Sequence, residues 1–138
     1  MSIPMKNSNP SKKHLVDSNI VIGALGSDLN CRAFFANDLD MVFSVIVIAE
    51  VLNGAENAGV IRTIERIMTT AEIIPLTAEL SFYAGKFLNE QRLLGRPCKT
   101  NDGVLVATCI QHDLILVSKD KRLLKFADYV GVETVDLN

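Results

Sequence analysis

The stretch that decides the fold is residues 98–120, which read CKTNDGVLVATCIQHDLILVSKD. It opens with Thr100 and Asn101, either of which can cap a helix, continues as an apolar helical run, and ends in a short apolar segment typical of a buried strand. Asp102 lies at the start of the predicted helix, and Asp120 follows the predicted strand. Both positions expose side chains to ligands in α/β folds. The stretch therefore predicts a helix and a strand bracketed by two acids.

The same succession of strand, acid and helix occurs near the N-terminus. Residues 14–17 form a buried-strand pattern that ends in Asp17, and residues 20–25 begin an apolar helix that stops at Gly26. Further strands are predicted over residues 41–45, 72–76 and 130–135, and further helices over 28–37, 46–55, 60–68, 77–94 and 121–126. Strands separated by helices pair in parallel through right-handed crossovers. We therefore predict a single-domain, three-layer α/β/α sandwich with a parallel sheet.

The composition fits one domain with a substantial core. The chain has 138 residues, of which 49% are hydrophobic, and this excludes a disordered protein. Residues 1–13 are rich in Pro, Ser, Asn and Lys and predict a flexible lead-in, so the domain is placed at residues 14–138. The apolar runs are shorter than the ~20 residues of a membrane helix, and no secretory leader is recognised, so we expect a cytoplasmic protein without membrane contact.

The cysteines carry no recognisable functional pattern. Cys31, Cys98 and Cys109 lack the spacing of a disulfide framework or of a thiolate zinc site. We therefore expect ordinary buried or half-buried thiols.

The net charge of −2 conceals a local concentration of basic residues. Half of the 14 Lys and Arg lie between residues 92 and 125. They form either an ordinary solvated surface or a patch that holds phosphates beside the acids. The residues are Arg92, Arg96, Lys99, Lys119, Lys121, Arg122 and Lys125.

Four carboxylates are predicted to meet at one edge of the sheet. Asp17 and Asp120 end strands, and Asp102 begins a helix. Glu50 lies in an apolar helix, where we expect it to be buried and to need a partner or a metal. Each acid also has an ordinary interpretation, as a helix cap, a turn residue, a favourable charge at a helix N-terminus or a buried ion pair. Gathered like charges are normally held by cations, and oxygen ligands suit Mg²⁺ or Mn²⁺ better than zinc.

Several short motifs follow one another along the chain at mutually fitting distances. They are Asp17-Ser18-Asn19, Ser44 with Glu50, Gly54-Ala55, Gly95-Arg96-Pro97, Asn101-Asp102, Ala107 and Ser118-Lys119-Asp120. Over residues 14–135 this series resembles the PIN-domain family, and in size the chain is similar to the toxin ribonucleases of VapBC toxin–antitoxin pairs. Three positions depart from the family pattern: Val47 replaces a frequent Thr or Ser, Ser118 replaces the usual Thr, and Arg122 stands where an acid or polar residue is common.

The resemblance implies a sheet of strand order 3-2-1-4-5 and a Mg²⁺- or Mn²⁺-dependent endoribonuclease. It implies that Asp17 and Asp102 bind the metal directly and that Glu50 and Asp120 bind it directly or through water. The side chains implied to orient these carboxylates, or to bind a phosphate oxygen, are Asn19, Ser44, Asn101 and Ser118. The residues expected to bind the RNA backbone are Arg92, Arg96, Lys99, Lys119, Lys121 and Arg122.

The resemblance also implies protein partners. The expected partners are a second copy of the chain and a small antitoxin that lays a segment over the acidic site. Such a segment would place an Arg or a Lys among the carboxylates, where charge-assisted hydrogen bonds are strong.

Two alternatives from other classes stay open. One is a catalytically idle PIN-like module that acts through a protein partner. The other is a phosphoacceptor receiver domain, which requires paired acids after strand one, an Asp after strand three and a Lys after strand five. Here Asp17 stands alone, strand three ends in Ile74-Pro75-Leu76, and the last strand has no Lys. An Asp-x-Asp phosphatase is disfavoured because Asn19 occupies the second Asp position.

Overall fold

A five-stranded parallel sheet forms the centre of the computed structural model, which describes residues 12–37 and 40–138. The strands are β1 (His14–Val16), β2 (Met41–Ser44), β3 (Glu72–Ile74), β4 (Ile115–Ser118) and β5 (Thr134–Asp136). Their order is β3-β2-β1-β4-β5, as the family resemblance implied, and β1 lies at the centre between β2 and β4. Strands of a parallel sheet are covered on both faces, which is why β4 is apolar without alternation and buried at every position.

Six of the seven helices in the described residues begin at a capping side chain. The helices are α1 (Ser18–Leu25), α2 (Leu29–Ala36), α3 (Val45–Asn53), α4 (Ala58–Thr70), α5 (Ala78–Leu93), α6 (Thr100–His112) and α7 (Lys121–Tyr129). Asp17, Ser44 and Asp120 each accept backbone N–H groups from the first turn of the helix that follows them. Helices α1, α3 and α7 therefore start close to the carboxyl ends of the adjacent strands β1, β2 and β4.

Helix α6 accounts for the long apolar run in the middle of the C-terminal half. It is buried at every position from 103 to 109. Its start packs closely on α5, because a Cβ atom added at Gly103 would lie 2.7 Å from Cγ of Leu88. This close approach sets the distance between α5 and the first turn of α6.

Helix α6 begins one residue earlier than a cap at Thr100 would allow. Neither Thr100 nor Asn101 caps the helix, because Lys99 is the N-cap residue and makes no side-chain capping bond. The Lys99 carbonyl accepts the N–H of Gly103 at 2.8 Å, so Thr100 already belongs to the first helical turn.

The remaining differences lie at the ends of elements. Helix α7 continues to Tyr129, beyond the predicted end at 126, because Ala127 is fully buried and helps to anchor this last turn. Strand β5 consequently begins at Thr134 and not at 130. Leu94, predicted on the apolar face of α5, is 63% exposed because it is the C-cap residue and lies past that face.

The predicted flexible lead-in over residues 1–13 falls outside the described residues, apart from Lys12 and Lys13. The Lys13 carbonyl accepts the N–H of Ile115 at 2.9 Å, so the described end of this segment is attached to the sheet. The Lys12 ammonium lies 3.3 Å from the Asp113 carboxylate and 3.4 Å from that of Glu133.

The cysteine side chains are all free thiols. Cys31 and Cys109 are buried and Cys98 is half-buried, which confirms the expected environments. Among the helices that the structure describes, none combines the length and the apolar character that crossing a bilayer requires.

Candidate active site

A cleft of about 440 Å³ opens at the carboxyl ends of β1 and β4. Strand order reverses between these two strands, and this is the place where open α/β sheets bind ligands. The cleft contains all four acids singled out in the sequence, and we call it the acidic cleft. Its lining residues are Asp17, Ser18, Asn19, Glu50, Lys99, Thr100, Asn101, Asp102 and Asp120.

Asp17 is the most enclosed of the four acids, with 5% of its surface exposed. Its Oδ1 accepts the backbone N–H of Ser18 at 2.7 Å, and its Oδ2 accepts the hydroxyl of Ser118 at 2.7 Å. Burial raises the pKa of Asp17, these hydrogen bonds oppose the rise, and the charge of Asp120 adds to it. The carboxylate is thus held in place by donors but still carries an unfavourable charge.

Asn19 and Ser118 connect Asp17 to the end of β4. The Asn19 amide donates to Asp17 Oδ2 and to Ser118 Oγ, each at 3.3 Å. Asn19 Oδ1 accepts the N–H of Lys119 at 3.2 Å, and Ser118 Oγ accepts that of Asp120 at 3.0 Å. Asn19 and Ser118 therefore both contact the Asp17 carboxylate and link it to the backbone that follows β4.

Glu50 reaches the acidic cleft from α3, but the expectation that it is buried is wrong. The buried residues of α3 are Val47, Ile48 and Val51, and Glu50 lies on the exposed side of the helix. The error arose because apolar neighbours such as Leu52 suggested an enclosed helix, whereas Leu52 is itself 38% exposed. Partial desolvation, followed by the charges of Asp17 and Asp102, nevertheless raises the pKa of Glu50.

Asp102 and Asp120 line the acidic cleft from the starts of two helices, α6 and α7. Burial, and then the charges of Asp120 and Asp17, raise the pKa of Asp102, while the nearby Lys99 opposes the rise. Asp120 also caps α7, because its Oδ1 accepts the N–H groups of Arg122 and Leu123 at 3.0 and 3.2 Å. Structural capping and a place in the acidic cleft are therefore combined in the same side chain.

Ser44 and Asn101 occupy different positions. Asn101 lines the acidic cleft, whereas Ser44 lies outside its lining. The Ser44 hydroxyl oxygen accepts the N–H of Ile46 at 3.2 Å and caps α3. Ser44 thus fixes the start of the helix that carries Glu50.

The basic residues singled out in the sequence do not form one continuous patch. Lys99 lines the acidic cleft, and Lys119 forms an ion pair with Asp28, which lowers the pKa of Asp28 to about 2. Arg92 donates to Asn89 on α5 at 2.8 Å. Lys121 is exposed, and Arg96 and Arg122 line a separate cleft beside the acidic one.

Three residues near the acids were not assigned to the site from the sequence. Ser18 and Thr100 line the acidic cleft. The signal for Ser18 was its place in the Asp17-Ser18-Asn19 motif, and the signal for Thr100 was its position at the start of the predicted helix. Cys98 lies close enough for the charges of Asp102 and Asp120 to add to the effect of burial, and its pKa rises to about 11.

The donor set of the acidic cleft fits a hard divalent cation. Carboxylate and amide oxygens are the ligands that Mg²⁺ and Mn²⁺ prefer. A cation would offset the burial, and then the mutual repulsion, that raise the pKa values of Asp17, Glu50 and Asp102. In residues 12–37 and 40–138, however, no three His, Cys, Asp or Glu side chains are arranged as a ready-made metal cage. An ion held here would therefore keep water ligands, as Mg²⁺ commonly does.

The family of the chain follows from its sequence. The PIN domain family model matches residues 14–129, which is most of the 138-residue chain. The chain belongs to the PIN domain family. No curated protein matches the chain in sequence.

Solved structures of several toxin–antitoxin proteins are similar to this chain. DNA-bound VapBC from Salmonella typhimurium has a TM-score of 0.76 at 19% identity, over 92% of this chain and 99% of that one. FitAcB from Neisseria gonorrhoeae has a TM-score of 0.71 at 18% identity, over 90% and 97%. VapC20 from Mycobacterium tuberculosis, a sarcin-ricin loop cleaving toxin, has a TM-score of 0.70 at 16% identity, over 90% and 99%. At these identities the likeness shows a shared fold.

The topology also excludes the receiver-domain alternative. Receiver domains have the flavodoxin-like strand order 2-1-3-4-5. The order found here is 3-2-1-4-5, with β1 and not β3 next to β4.

Proposed function

We propose that this PIN domain is a Mg²⁺- or Mn²⁺-dependent endoribonuclease. The observation that carries the proposal is the convergence of Asp17, Glu50, Asp102 and Asp120 on one cleft where strand order reverses. Burial and mutual repulsion raise the pKa values of the first three of these acids. Purely structural carboxylates are normally paired with cations, so a set left in repulsion points to a bound metal ion.

The acids have distinct proposed roles. Asp17 and Asp102 bind the metal directly, and Glu50 and Asp120 bind it directly or through water. Ser118 and Asn19 hold the Asp17 carboxylate in a fixed orientation through hydrogen bonds of 2.7 and 3.3 Å. When bound, the metal supplies an activated water and neutralises charge on the phosphodiester.

The residues around the acids position the RNA. Asn101 lines the acidic cleft, and its amide is a candidate donor to a phosphate oxygen. Lys99 lines the same cleft and supplies a positive charge beside Asp102. Ser44 contributes by starting the helix that presents Glu50.

We further propose that the chain is the toxin of a type II toxin–antitoxin pair and forms a homodimer. Support for the toxin comes from its similarity in fold to VapBC and FitAcB, and the homodimer is what the family resemblance implies. The cognate antitoxin would insert an Arg or Lys into the acidic cleft, where four carboxylates are available for charge-assisted pairing.

Cleavage of RNA by the purified full chain tests the nuclease proposal. Wild type is expected to cleave with Mg²⁺ or Mn²⁺ and to be inactive with EDTA, and Asp17→Asn and Asp102→Asn each to lose at least about 100-fold in rate. Asp113→Asn is the matched control, because Asp113 has a left-handed backbone with φ of 53° that Asn tolerates, and it lies outside the acidic cleft. Full activity of Asp17→Asn or Asp102→Asn would reject the assignment.

One observation favours the idle-module alternative: the acids do not form a ready-made metal cage within the described part of the chain. The melting temperature measured with and without Mn²⁺ distinguishes a metal-dependent nuclease from a catalytically idle module. A working site stabilises wild type by about 2.7 kcal/mol when Mn²⁺ is at 100 times its Kd, and does not stabilise Asp102→Asn. Equal melting of wild type with and without Mn²⁺, together with absence of cleavage, would favour the idle module.

A further inference from the structure

A second cleft of about 620 Å³ lies between the α5–α6 connection and α7. Arg96, Arg122, Lys125 and Tyr129 line it, no Asp or Glu does, and we call it the basic cleft. The salt bridges found in residues 12–37 and 40–138 involve Lys12, Lys13 and Lys119, and none of the three cations of the basic cleft. The basic cleft thus presents three cations that form no ion pair with a carboxylate in the described part of the chain.

An arginine and a tyrosine form a stacked pair in the basic cleft. The Cζ atom of Arg96 lies 4.2 Å from the centroid of the Tyr129 ring. The Arg96 Nε donates to Oε1 of Gln91 at 2.8 Å, which holds the guanidinium plane in position. Tyr129 remains 65% exposed, so much of the residue is open to a ligand. Exposed aromatic rings and Arg guanidinium planes are the surfaces on which unpaired bases stack.

The basic cleft adjoins the acidic cleft. Pro97 lines the basic cleft and Lys99 the acidic one, while on α7 the corresponding residues are Arg122 and Asp120. Two residues of extended chain span at most about 7 Å, so the clefts adjoin at both places. The N–H of Arg122 donates to Oδ1 of Asp120 at 3.0 Å, which ties the backbone at Arg122 to the acid. A nucleic acid strand that enters the acidic cleft would meet these cations next.

We propose that the basic cleft binds the single-stranded RNA that flanks the scissile phosphodiester. A base stacks at Tyr129, and backbone phosphates bind Arg96, Arg122 and Lys125. This assignment rests on the proposed nuclease function and adds a base-stacking subsite, formed by Arg96 and Tyr129, beside the acidic cleft. A duplex does not fit, because its bases already stack on one another and offer no face to a tyrosine ring.

Fluorescence anisotropy with a short labelled RNA and the full chain, in EDTA so that the RNA stays intact, tests this proposal. Tyr129→Ala is expected to lower affinity about 5- to 100-fold, whereas Tyr129→Phe keeps the ring and stays within about twofold of wild type. Arg122→Gln and Lys125→Gln each reduce the slope of log affinity against log salt by about 0.7. The matched control is Arg62→Gln, which removes one exposed cation from α4 and leaves the slope unchanged. Thermal melting verifies that each variant is folded.

Several results would overturn the proposal. If Tyr129→Ala binds RNA with wild-type affinity, no base stacks on Tyr129. If the salt slope is unchanged in both Arg122→Gln and Lys125→Gln, these side chains do not contact phosphates. Equal affinity for a duplex of the same sequence would reject the unpaired strand as the ligand. A labelled acidic peptide serves as a second probe. If Arg122→Gln and Lys125→Gln lose binding to this peptide but bind RNA as wild type does, the basic cleft binds a protein partner and not RNA.

The cleavage assay separates this proposal from the nuclease proposal. Wild type that binds RNA through the basic cleft but does not cleave it with Mg²⁺ or Mn²⁺ rejects the nuclease function alone. Wild type that cleaves RNA, with binding unaffected by the variants, rejects the role of the basic cleft alone.

Discussion

The hydroxyl of Ser118 donates to Oδ2 of Asp17 at 2.7 Å and joins residues 101 positions apart in the chain. Both side chains are buried, with Asp17 5% and Ser118 0% exposed. A charged carboxylate in such surroundings is strongly unfavourable unless donors contact it. The end of β4 therefore supplies a contact on which the charge at the end of β1 depends.

Ser118→Ala is expected to destabilise the protein by about 1–3 kcal/mol at neutral pH, because it leaves a buried acceptor with one donor fewer. The pKa of Asp17, already above its ordinary value of 3.8, rises further without this bond. When the pKa of Asp17 is raised in the folded state, ionisation of Asp17 opposes folding at pH values above that pKa, and this effect disappears below pH 3.8. The stability difference between wild type and Ser118→Ala should therefore narrow as the pH falls toward 3.8. Denaturant unfolding of wild type and Ser118→Ala in EDTA, from neutral pH down to about 3.8, measures this difference in the free energy of unfolding. Ser118→Thr keeps the donor and serves as the control; a deficit independent of pH would contradict the expected coupling.

Asp102→Asn is expected to raise the melting temperature in EDTA at neutral pH. The reason is that burial and the charges of Asp120 and Asp17 raise the pKa of Asp102, so its ionised form opposes folding. The gain should shrink as pH falls, since wild-type Asp102 then becomes protonated in the folded state. Asp113→Asn should change stability by no more than about 1 kcal/mol, the upper end for an exposed ion pair such as that of Asp113 with Lys12. A lower melting temperature for Asp102→Asn at neutral pH would show that repulsion is not the dominant effect.

Gly103→Ala is expected to destabilise the protein by about 1–3 kcal/mol through overpacking. The added Cβ would lie 2.7 Å from Cγ of Leu88, and α5 and α6 must separate or Leu88 must move. Gly85→Ala in α5 is the matched control, because nothing lies within 4 Å of its added Cβ and the better helix propensity should stabilise by up to about 1 kcal/mol. In a Leu88→Ala background the cost of Gly103→Ala should largely vanish, and an undiminished cost would place the strain elsewhere.

Lys119→Gln is expected to lower stability without changing the salt dependence of RNA binding. Its ammonium is paired with the Asp28 carboxylate and is therefore less available to a phosphate than the side chain of Arg122. Because this pair lowers the pKa of Asp28 to about 2, its contribution is present above the ordinary value of 3.8 and fades as pH falls through 2. Asp28→Asn and the double variant complete a cycle in which the losses should not add. Additive losses, or a reduced salt slope for Lys119→Gln, would contradict this prediction.

The features that the sequence predicted well depend on local patterns. Apolar runs next to Asp17, Ser44 and Asp120 located strands β1, β2 and β4 together with the helices that follow them. The carboxyl ends of parallel strands share one edge, so the acids there could be expected to meet. Strand order itself was implied by the family motifs, because alternating strands and helices are compatible with several orders.

The features that the sequence did not predict depend on distant neighbours. The ion pair of Lys119 with Asp28 joins positions 91 apart, and no local pattern marks either residue as a partner. The exposure of Glu50 depends on which side of α3 faces the sheet. Because the neighbours of Glu50 in α3 are nearly all apolar, the sequence does not show which side that is. The stack of Arg96 on Tyr129 required a longer α7 than the apolar pattern indicated.

The central position of β1 has a consequence during synthesis on the ribosome. Its neighbour β4 begins at Ile115, so a nascent chain that has not yet released this region has an incomplete sheet around Asp17. Pairing between such distant segments is also slow to form. An unfinished or prematurely terminated chain would lack the Ser118 contact, Asp120 and the basic face of α7 together. A nascent chain thus cannot complete the acidic cleft until translation has reached the last fifth of the polypeptide.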